Sequence, residues 1–437
     1  MPSPAQLLRS RSYVVLVVFG AIIGVPVAAV AYFFLKLVAE TQQYVFGTLP
    51  GELGFDSQPS WWPIPLLALS GLIVAATIRY LPGTAGHKPA EGFKTGGAVR
   101  PIDLPGIIIA AFATLSLGVV LGPEAPLIAI GSGMGVLAVH LIKRDAPEMA
   151  VAVIGAAGSF AAIATLLGSP LAGAFLLMEA GGLGGALMSV VLVPGLLAAG
   201  IGSLIYIGLD DWTGFGTFSL AVPDIPPAGS PTGSEFLWAI AIGVLAALLG
   251  AFIRRLALAL QPIVEGRSLV LTPLAGVGIG ILALVFVEAS DKPTAYVLFS
   301  GQDQLPSLIE EAATWSVGAL LLLVLCKGLA YSLALSGFRG GPVFPGMFLG
   351  AAGGIVLSHL PGLSMIAGAA MGIGAMTVAM LGLPLVALLL VVLFLQADAL
   401  QLTPLVIVAI VVSYIVSAWL RPPETTPEAM STASART

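Results

Sequence analysis

The chain has 437 residues, 58% of them hydrophobic and 9% charged, against about 25% charged in an ordinary soluble domain. A formal charge of −5 without a basic block argues against nucleic acid as a partner, and the single cysteine, Cys326, excludes an intramolecular disulfide framework and a thiolate metal cluster. Apolar runs of the roughly 20 residues needed to cross a bilayer recur from end to end, so the chain reads as a polytopic all-α membrane protein with no room for a soluble catalytic domain.

In chain order, the first run, Tyr13 to Leu35, follows Arg9 and Arg11 as a signal peptide would, but it stays apolar past any small-residue cleavage site and reads as a retained span. Between Lys36 and Arg79 no basic residue occurs, whereas Glu40, Glu52 and Asp56 do. A second run, Trp62 to Ile78, leads into the basic cluster Arg79, Lys88, Lys94 and Arg100, which includes the stretch "PGTAGHKPAEG" with Gly86 and His87. Next comes "LGVVLGPEAPLIAIGSGMG", almost wholly apolar but carrying Glu124 between Pro123 and Pro126. A charge at bilayer depth costs at least ~2.5 kcal/mol, so a chain that keeps one there usually uses it.

His140, Lys143 and Arg144 close this part. No basic residue then occurs before Arg254, although Asp210, Asp211, Asp224 and Glu235 do. Arg254, Arg255 and Arg267 precede the run Leu269 to Val287, Arg339 stands just before a second Gly-Pro turn, and the run Pro404 to Leu420 ends at Arg421. The positive-inside tendency places the basic clusters and both termini in the cytoplasm. His140, His359 and Asp398 fall at ends of apolar runs and read as interfacial. The closing "RPPETTPEAMSTASART", residues 421–437, reads as a disordered cytoplasmic tail.

Glycine and proline are the unusual part of the composition, 54 and 32 residues, many inside apolar runs. Interrupted helices survive in lipid only where the freed backbone is buried in protein or lines a watery cavity, so broken and partial helices are expected. The interruptions also repeat. A shift of 219 positions lays "GPEAPLIAIGSGMGV" over "GPVFPGMFLGAAGGI", matching Gly122, Pro123, Pro126, Gly131 and Gly135 with Gly341, Pro342, Pro345, Gly350 and Gly354. Downstream, each copy has a "GAA" and then "LGSPL" or "LGLPL". Two related halves, residues 1–215 and 216–420, are the economical explanation, and duplicated, interrupted apolar segments point to transport with a site where the halves meet. The first N–H groups of a helix lack intrahelical partners and carry partial positive charge. Two such ends aimed at one spot attract an anion without a Lys or Arg that would hold it too tightly to leave.

With these segments in view, the sequence resembles the CLC chloride channel and transporter family over nearly its whole length. "GPEAP" is similar to the family's G-[KR]-E-G-P at the start of a half-helix, "GSPLAGAFLLMEA" to the segment after it, "KGLAYSLALSGFRGGPVFPGMFLGAAGG" to the second-half pattern containing G-x-F-x-P, and "PGTAGHKPAEG" falls where the family has G-S-G-I-P. The resemblance implies two related, inverted halves, a homodimer with one anion path per subunit, no cofactor and no enzymatic activity. It implies a small inorganic anion, chloride first, with Glu124 as gate and Gly86, His87, Gly122, Pro123, Ala125, Pro342, Val343 and Phe344 around the anion. Lys88 and Arg339 are vestibule candidates.

The departures carry weight too. Gly86 replaces the anion-binding serine, Val343 the phenylalanine of G-x-F-x-P, Pro123 the basic residue and Ala125 the glycine of the gate motif. Ala180 stands at the internal proton-transfer glutamate, with Glu179 beside it as the candidate proton-path residue, and the C-terminal pore tyrosine has no match. These changes favour passive conduction or weakly proton-coupled exchange, with strict anion/proton antiport by another proton path as the alternative. An intramembrane hydrolase would need motifs such as H-E-x-x-H or G-x-S-x-G, which the chain lacks, and three scattered histidines are unpromising for a metal. The expected location is the plasma or inner membrane.

Overall fold

The computed structural model describes residues 9–93, 97–182, 185–214, 216, 229–396 and 399–421. Lys94, Asp224, Asp398 and the tail after Arg421 lie outside the described residues. The described chain is all-α, with no β-strand among these residues, and nine of its helices are long and apolar enough to cross a membrane.

Helix α1 (Arg11–Gln43) starts where the Ser10 hydroxyl accepts the Tyr13 amide and continues through the π-turn Tyr44–Thr48. It is followed by α2 (Pro63–Tyr80), α3 (Leu104–Ser116), α4 (Glu124–Ile142), α5 (Glu148–Leu167), α6 (Pro170–Ala180) and α7 (Gly185–Thr213). The second part holds α8 (Gly233–Gly266), α9 (Ser268–Ser290), α10 (Gln304–Glu310), α11 (Val317–Gly337), α12 (Val343–Ser358), α13 (Met365–Leu381), α14 (Pro384–Leu395) and α15 (Ala399–Leu420). Glu235 closes a capping box with Thr232 at the start of α8 and accepts the Ser364 hydroxyl at 2.6 Å.

The partial helices are present. At 11, 16 and 12 residues, α6, α12 and α14 fall short of a bilayer crossing. The echo "LGSPL" and "LGLPL" has a local cause. Gly168 (φ 61°) and Gly382 (φ 73°) end α5 and α13 in the left-handed conformation, and the prolines two residues later open α6 and α14. Glycine stops a helix this way without a Cβ clash, and proline starts one at the position whose N–H is spare.

Packing recurs in the same order. α4 lies on α5 as α12 lies on α13, α5 on α7 as α13 on α15, and α1 on α5 and α7 as α8 on α13 and α15. Across the molecule α2 packs on α9 and α6 on α14. The glycines matched between the two stretches are the contact points: Gly131 meets the Gly158 backbone, Gly350 meets Gly372 and Gly354 meets Gly368. Small residues let helices approach closely, which is the main source of attraction where lipid is as apolar as leucine.

This packing makes a paired prediction. A Cβ at Gly368 would come within 2.6 Å of the Gly354 carbonyl oxygen, and one at Gly354 would fall on the Gly368 carbonyl, whereas one at Gly353 would meet nothing within 4 Å. Gly354→Ala is expected to lower the melting temperature of the detergent-solubilised protein by several degrees, and Gly353→Ala to leave it unchanged or raise it, because alanine is the better helix former by roughly 1 kcal/mol. Equal melting temperatures for the two variants would remove the packing account.

Candidate functional site

The two Gly-Pro turns are bonded to each other. Gly122 N–H donates to the Gly341 carbonyl at 2.7 Å and Gly341 N–H to the Gly122 carbonyl at 2.6 Å, an isolated antiparallel bridge. Pro123 and Pro342 are the N-caps of α4 and α12, so the bridge holds the starts of both helices side by side. In each helix the third residue is proline, Pro126 and Pro345, which has no N–H to offer. The free donors of each first turn are thereby reduced to two amides, Glu124 and Ala125 on α4, Val343 and Phe344 on α12. Every residue from 334 to 352 is buried, so the α12 end is surrounded by protein rather than lipid.

Glu124 is the first residue of α4 and is 0% exposed. Its side chain crosses to the other helix, where Oε1 accepts the Phe344 N–H at 3.0 Å. Oε2 is buried with no hydrogen-bond partner. A Cβ at Gly122 or Gly341 would overlap this carboxylate, so both glycines are needed for close approach rather than for backbone conformation. A carboxyl group thus lies on the positive end of a helix dipole with one oxygen unpartnered.

Two cavities are lined by residues that flank Glu124 in the chain. One, of about 380 Å³, is lined by Gly86, His87, Arg100, Arg339, Gly340 and Ala125, among others. The other, of about 60 Å³, is lined by Leu121, Pro123, Gln42, Ser300, Gln302 and Asp303, among others. The chain neighbours of Glu124 on either side therefore line different cavities.

The larger cavity sits on the basic face. Its two arginines differ. Arg100 is hydrogen-bonded by Nε and a terminal nitrogen to both Asp103 oxygens, each at 2.9 Å, and that bond pushes its pKa above the ordinary value. Arg339 is 5% exposed and forms no ion pair with a described carboxylate. It donates to the Thr84 carbonyl at 3.2 Å and the Phe338 carbonyl at 3.1 Å. Thr84 belongs to a run of four left-handed residues, Gly83 (φ 77°), Thr84 (50°), Ala85 (59°) and Gly86 (93°). For Thr84 and Ala85 this conformation costs on the order of 1–2 kcal/mol each, and such strain gathers at functional sites.

The structure brings Gly122, Pro123, Glu124, Ala125, Pro342, Val343 and Phe344 together at the bridge. Gly86, His87 and Arg339 lie in the basic-face cavity, and the His87 Nε2 is 2.8 Å from the Gly92 carbonyl oxygen. Lys88 is set apart from them, with its ammonium 2.9 Å from Glu265 at the partly exposed edge. Glu179 lies elsewhere too. Its two oxygens accept the Leu385 and Val386 amides at 3.0 and 2.7 Å, so it caps α14.

Two residues escaped the sequence reading. Tyr331, fully buried on α11, donates its hydroxyl to the Pro342 carbonyl at 2.9 Å and so braces the start of α12. Lys327, also 0% exposed, points its ammonium at the carbonyls of Tyr296, Val297, Leu298 and Phe299 at 3.0 to 3.4 Å and lies 4.4 Å from the Phe348 ring centre. Phe348 is one helical turn beyond Phe344. Lys327 was visible as the charge in "LLVLCKGLAYS", but nothing in the sequence tells which carbonyls it meets.

The chain is 29% identical over 362 residues, 81% of each chain, to a protein of Escherichia fergusonii that carries the name ion-transport protein YfeO, and equally to its counterpart in Escherichia coli O7:K1. Its fold matches the crystal structure of a slow cyanobacterial Cl−/H+ antiporter with a TM-score of 0.73 at 18% identity, covering 96% of this chain and 97% of that one. It also matches a CLC-type fluoride/proton antiporter with a TM-score of 0.67 at 20% identity, covering 92% and 95%. Residues 71–418 match the model of the voltage gated chloride channel family. The bonded half-helix starts and that match over most of the chain lead to one conclusion: this integral membrane protein belongs to the CLC family of anion transport proteins.

Proposed function

We propose that the chain carries a small inorganic anion, chloride first, across the plasma or inner membrane through a path in each subunit of a homodimer, with Glu124 as the gate and both termini in the cytoplasm. The observation that carries this reading is the Glu124 carboxylate seated on the Phe344 amide of the opposing helix, with its chain neighbours lining two different cavities. A carboxylate in that seat is a tethered stand-in for the transported anion. Ionised, it fills the seat and separates the cavities. Protonated, it loses the charge that holds it to the helix end, and a free anion competes for the amides.

The donors around the seat are backbone amides, with apolar Val343 and Phe344 side chains beside them and glycine at residue 86. So few donors compensate poorly for stripping water from a strongly hydrated ion, which favours chloride over fluoride. Arg339 concentrates anions in the basic-face cavity while the Thr84 and Phe338 carbonyls keep it in place. Coupling to protons is loose in this reading, since Ala180 bears no proton and both Glu179 oxygens are engaged by the α14 amides.

In reconstituted vesicles, the parent protein is expected to pass anions faster as pH falls, because protonation releases Glu124. Glu124→Gln should pass them at a rate with little pH dependence. A hydrogen bond to a charged group is worth roughly 1.5–3 kcal/mol, so removing the tethered competitor by Glu124→Ala should raise passive flux by roughly tenfold or more. A Glu124→Gln protein with the flux and pH profile of the parent would remove the gate. In the same vesicles chloride efflux should exceed fluoride efflux, and the reverse order would overturn the donor argument.

A further inference from the structure

Away from both cavities beside Glu124, a third cavity of about 90 Å³ on the basic face is lined by Arg254 and Arg255 of α8, Ser417 and Leu420 of α15, and Arg421. None of the three arginines forms an ion pair with a described carboxylate. Arg254 and Arg421 are close enough to repel each other. Arg255 donates to the Leu420 carbonyl at 2.8 Å and Arg421 lies against Gly382 at the end of α13, so two of the charges gain something from helix C-termini. Arg254 lies near Gly92, at the end of the short turn Pro89–Glu91.

A second observation points into the same space. Ser417 is 7% exposed and its hydroxyl oxygen is buried without any hydrogen-bond partner. Buried hydroxyls are nearly always satisfied, in helices commonly by the carbonyl four residues back, so an orphan on the wall of an arginine-lined cavity calls for a ligand.

Depth indicates where that ligand comes from. At 1.5 Å per residue, Arg254 lies about 30 Å along α8 from Gly233, the thickness of the hydrocarbon core. Trp419, 79% exposed, and Tyr414, 42% exposed, stand on α15, the helix that brings Ser417 and Leu420 to the cavity, as aromatic residues do at the headgroup level. Guanidinium forks match the oxygens of phosphate and hold them with paired, charge-assisted hydrogen bonds.

We propose that Arg254, Arg255, Arg421 and the Ser417 hydroxyl form a binding site for a phosphate-class oxyanion at the basic membrane face, separate from the transport path. An anionic phospholipid headgroup and free inorganic phosphate share this chemistry, and the test tells them apart. The purified full chain in neutral detergent is incubated with phosphatidylglycerol, with phosphatidylcholine, or with inorganic phosphate, and bound lipid is counted by native mass spectrometry while the melting temperature is followed. Phosphatidylglycerol should be retained over phosphatidylcholine and should raise the melting temperature. Arg254→Gln with Arg421→Gln should weaken retention by roughly tenfold or more, and Ser417→Ala, which removes one oxygen from a folded helix, by several-fold. A melting-temperature rise with inorganic phosphate but not with phosphatidylglycerol assigns the site to the free ion. If neither probe binds the parent more tightly than it binds the Ser417→Ala chain, the proposal is overturned. Anion flux is not the readout, so that failure leaves the Glu124 reading standing.

Discussion

The structure turns on a pair of backbone hydrogen bonds. Gly122 and Gly341 exchange N–H and carbonyl at 2.7 and 2.6 Å, and by doing so dock the starts of α4 and α12 together inside the protein. Each start carries unpaired amides and partial positive charge, and neither could lie in lipid without several kcal/mol of penalty per orphan group. Brought together, they become one electropositive spot. Glycine is required on both sides because the Glu124 carboxylate occupies the space a Cβ would take.

Glu124 resolves the cost of its own burial by this route. An ionised carboxylate in an apolar interior is very unfavourable, and the amides of the partner half-helix, Phe344 first among them, offset part of that cost. Oε1 accepts the Phe344 amide, and Oε2 has no hydrogen-bond partner. A structural carboxylate would be satisfied at both oxygens, as Glu179 is on the α14 amides. The contrast between these two acids, one with both oxygens on helix amides and one with a single oxygen so held, is what supports the proposed gating role of Glu124. Tyr331 and Lys327 pack behind the two helix starts, one fixing the Pro342 carbonyl and the other placing a buried amino group against Phe348, one turn along α12.

Much of this was legible in the sequence, for reasons that differ between elements. The half-helix starts were visible because Gly-Pro inside an apolar run has few other uses, and the matched glycines were visible because helix contacts leave no room for a Cβ. The stop-and-start "LGSPL" and "LGLPL" read as an echo before they read as a glycine cap followed by a proline start. Partners far apart in the chain were not legible. That Glu124 bonds residue 344, that Glu179 caps α14, that Glu235 caps α8, and that Lys88 turns to Glu265 all depend on how the helices dock. The left-handed run from Gly83 to Gly86 was hidden because Thr84 and Ala85 carry no signal for such a conformation.

A seat shared by a side chain and a free ion is a claim about occupancy at one place. The direct measurement is a crystal structure of Glu124→Gln grown in bromide, with the anion located by its anomalous scattering. Bromide is expected within hydrogen-bonding distance of the Phe344 amide, in the position the Glu124 carboxylate holds in the parent. An ordered bromide bound elsewhere in the chain, with that amide closed off by protein, would contradict the account.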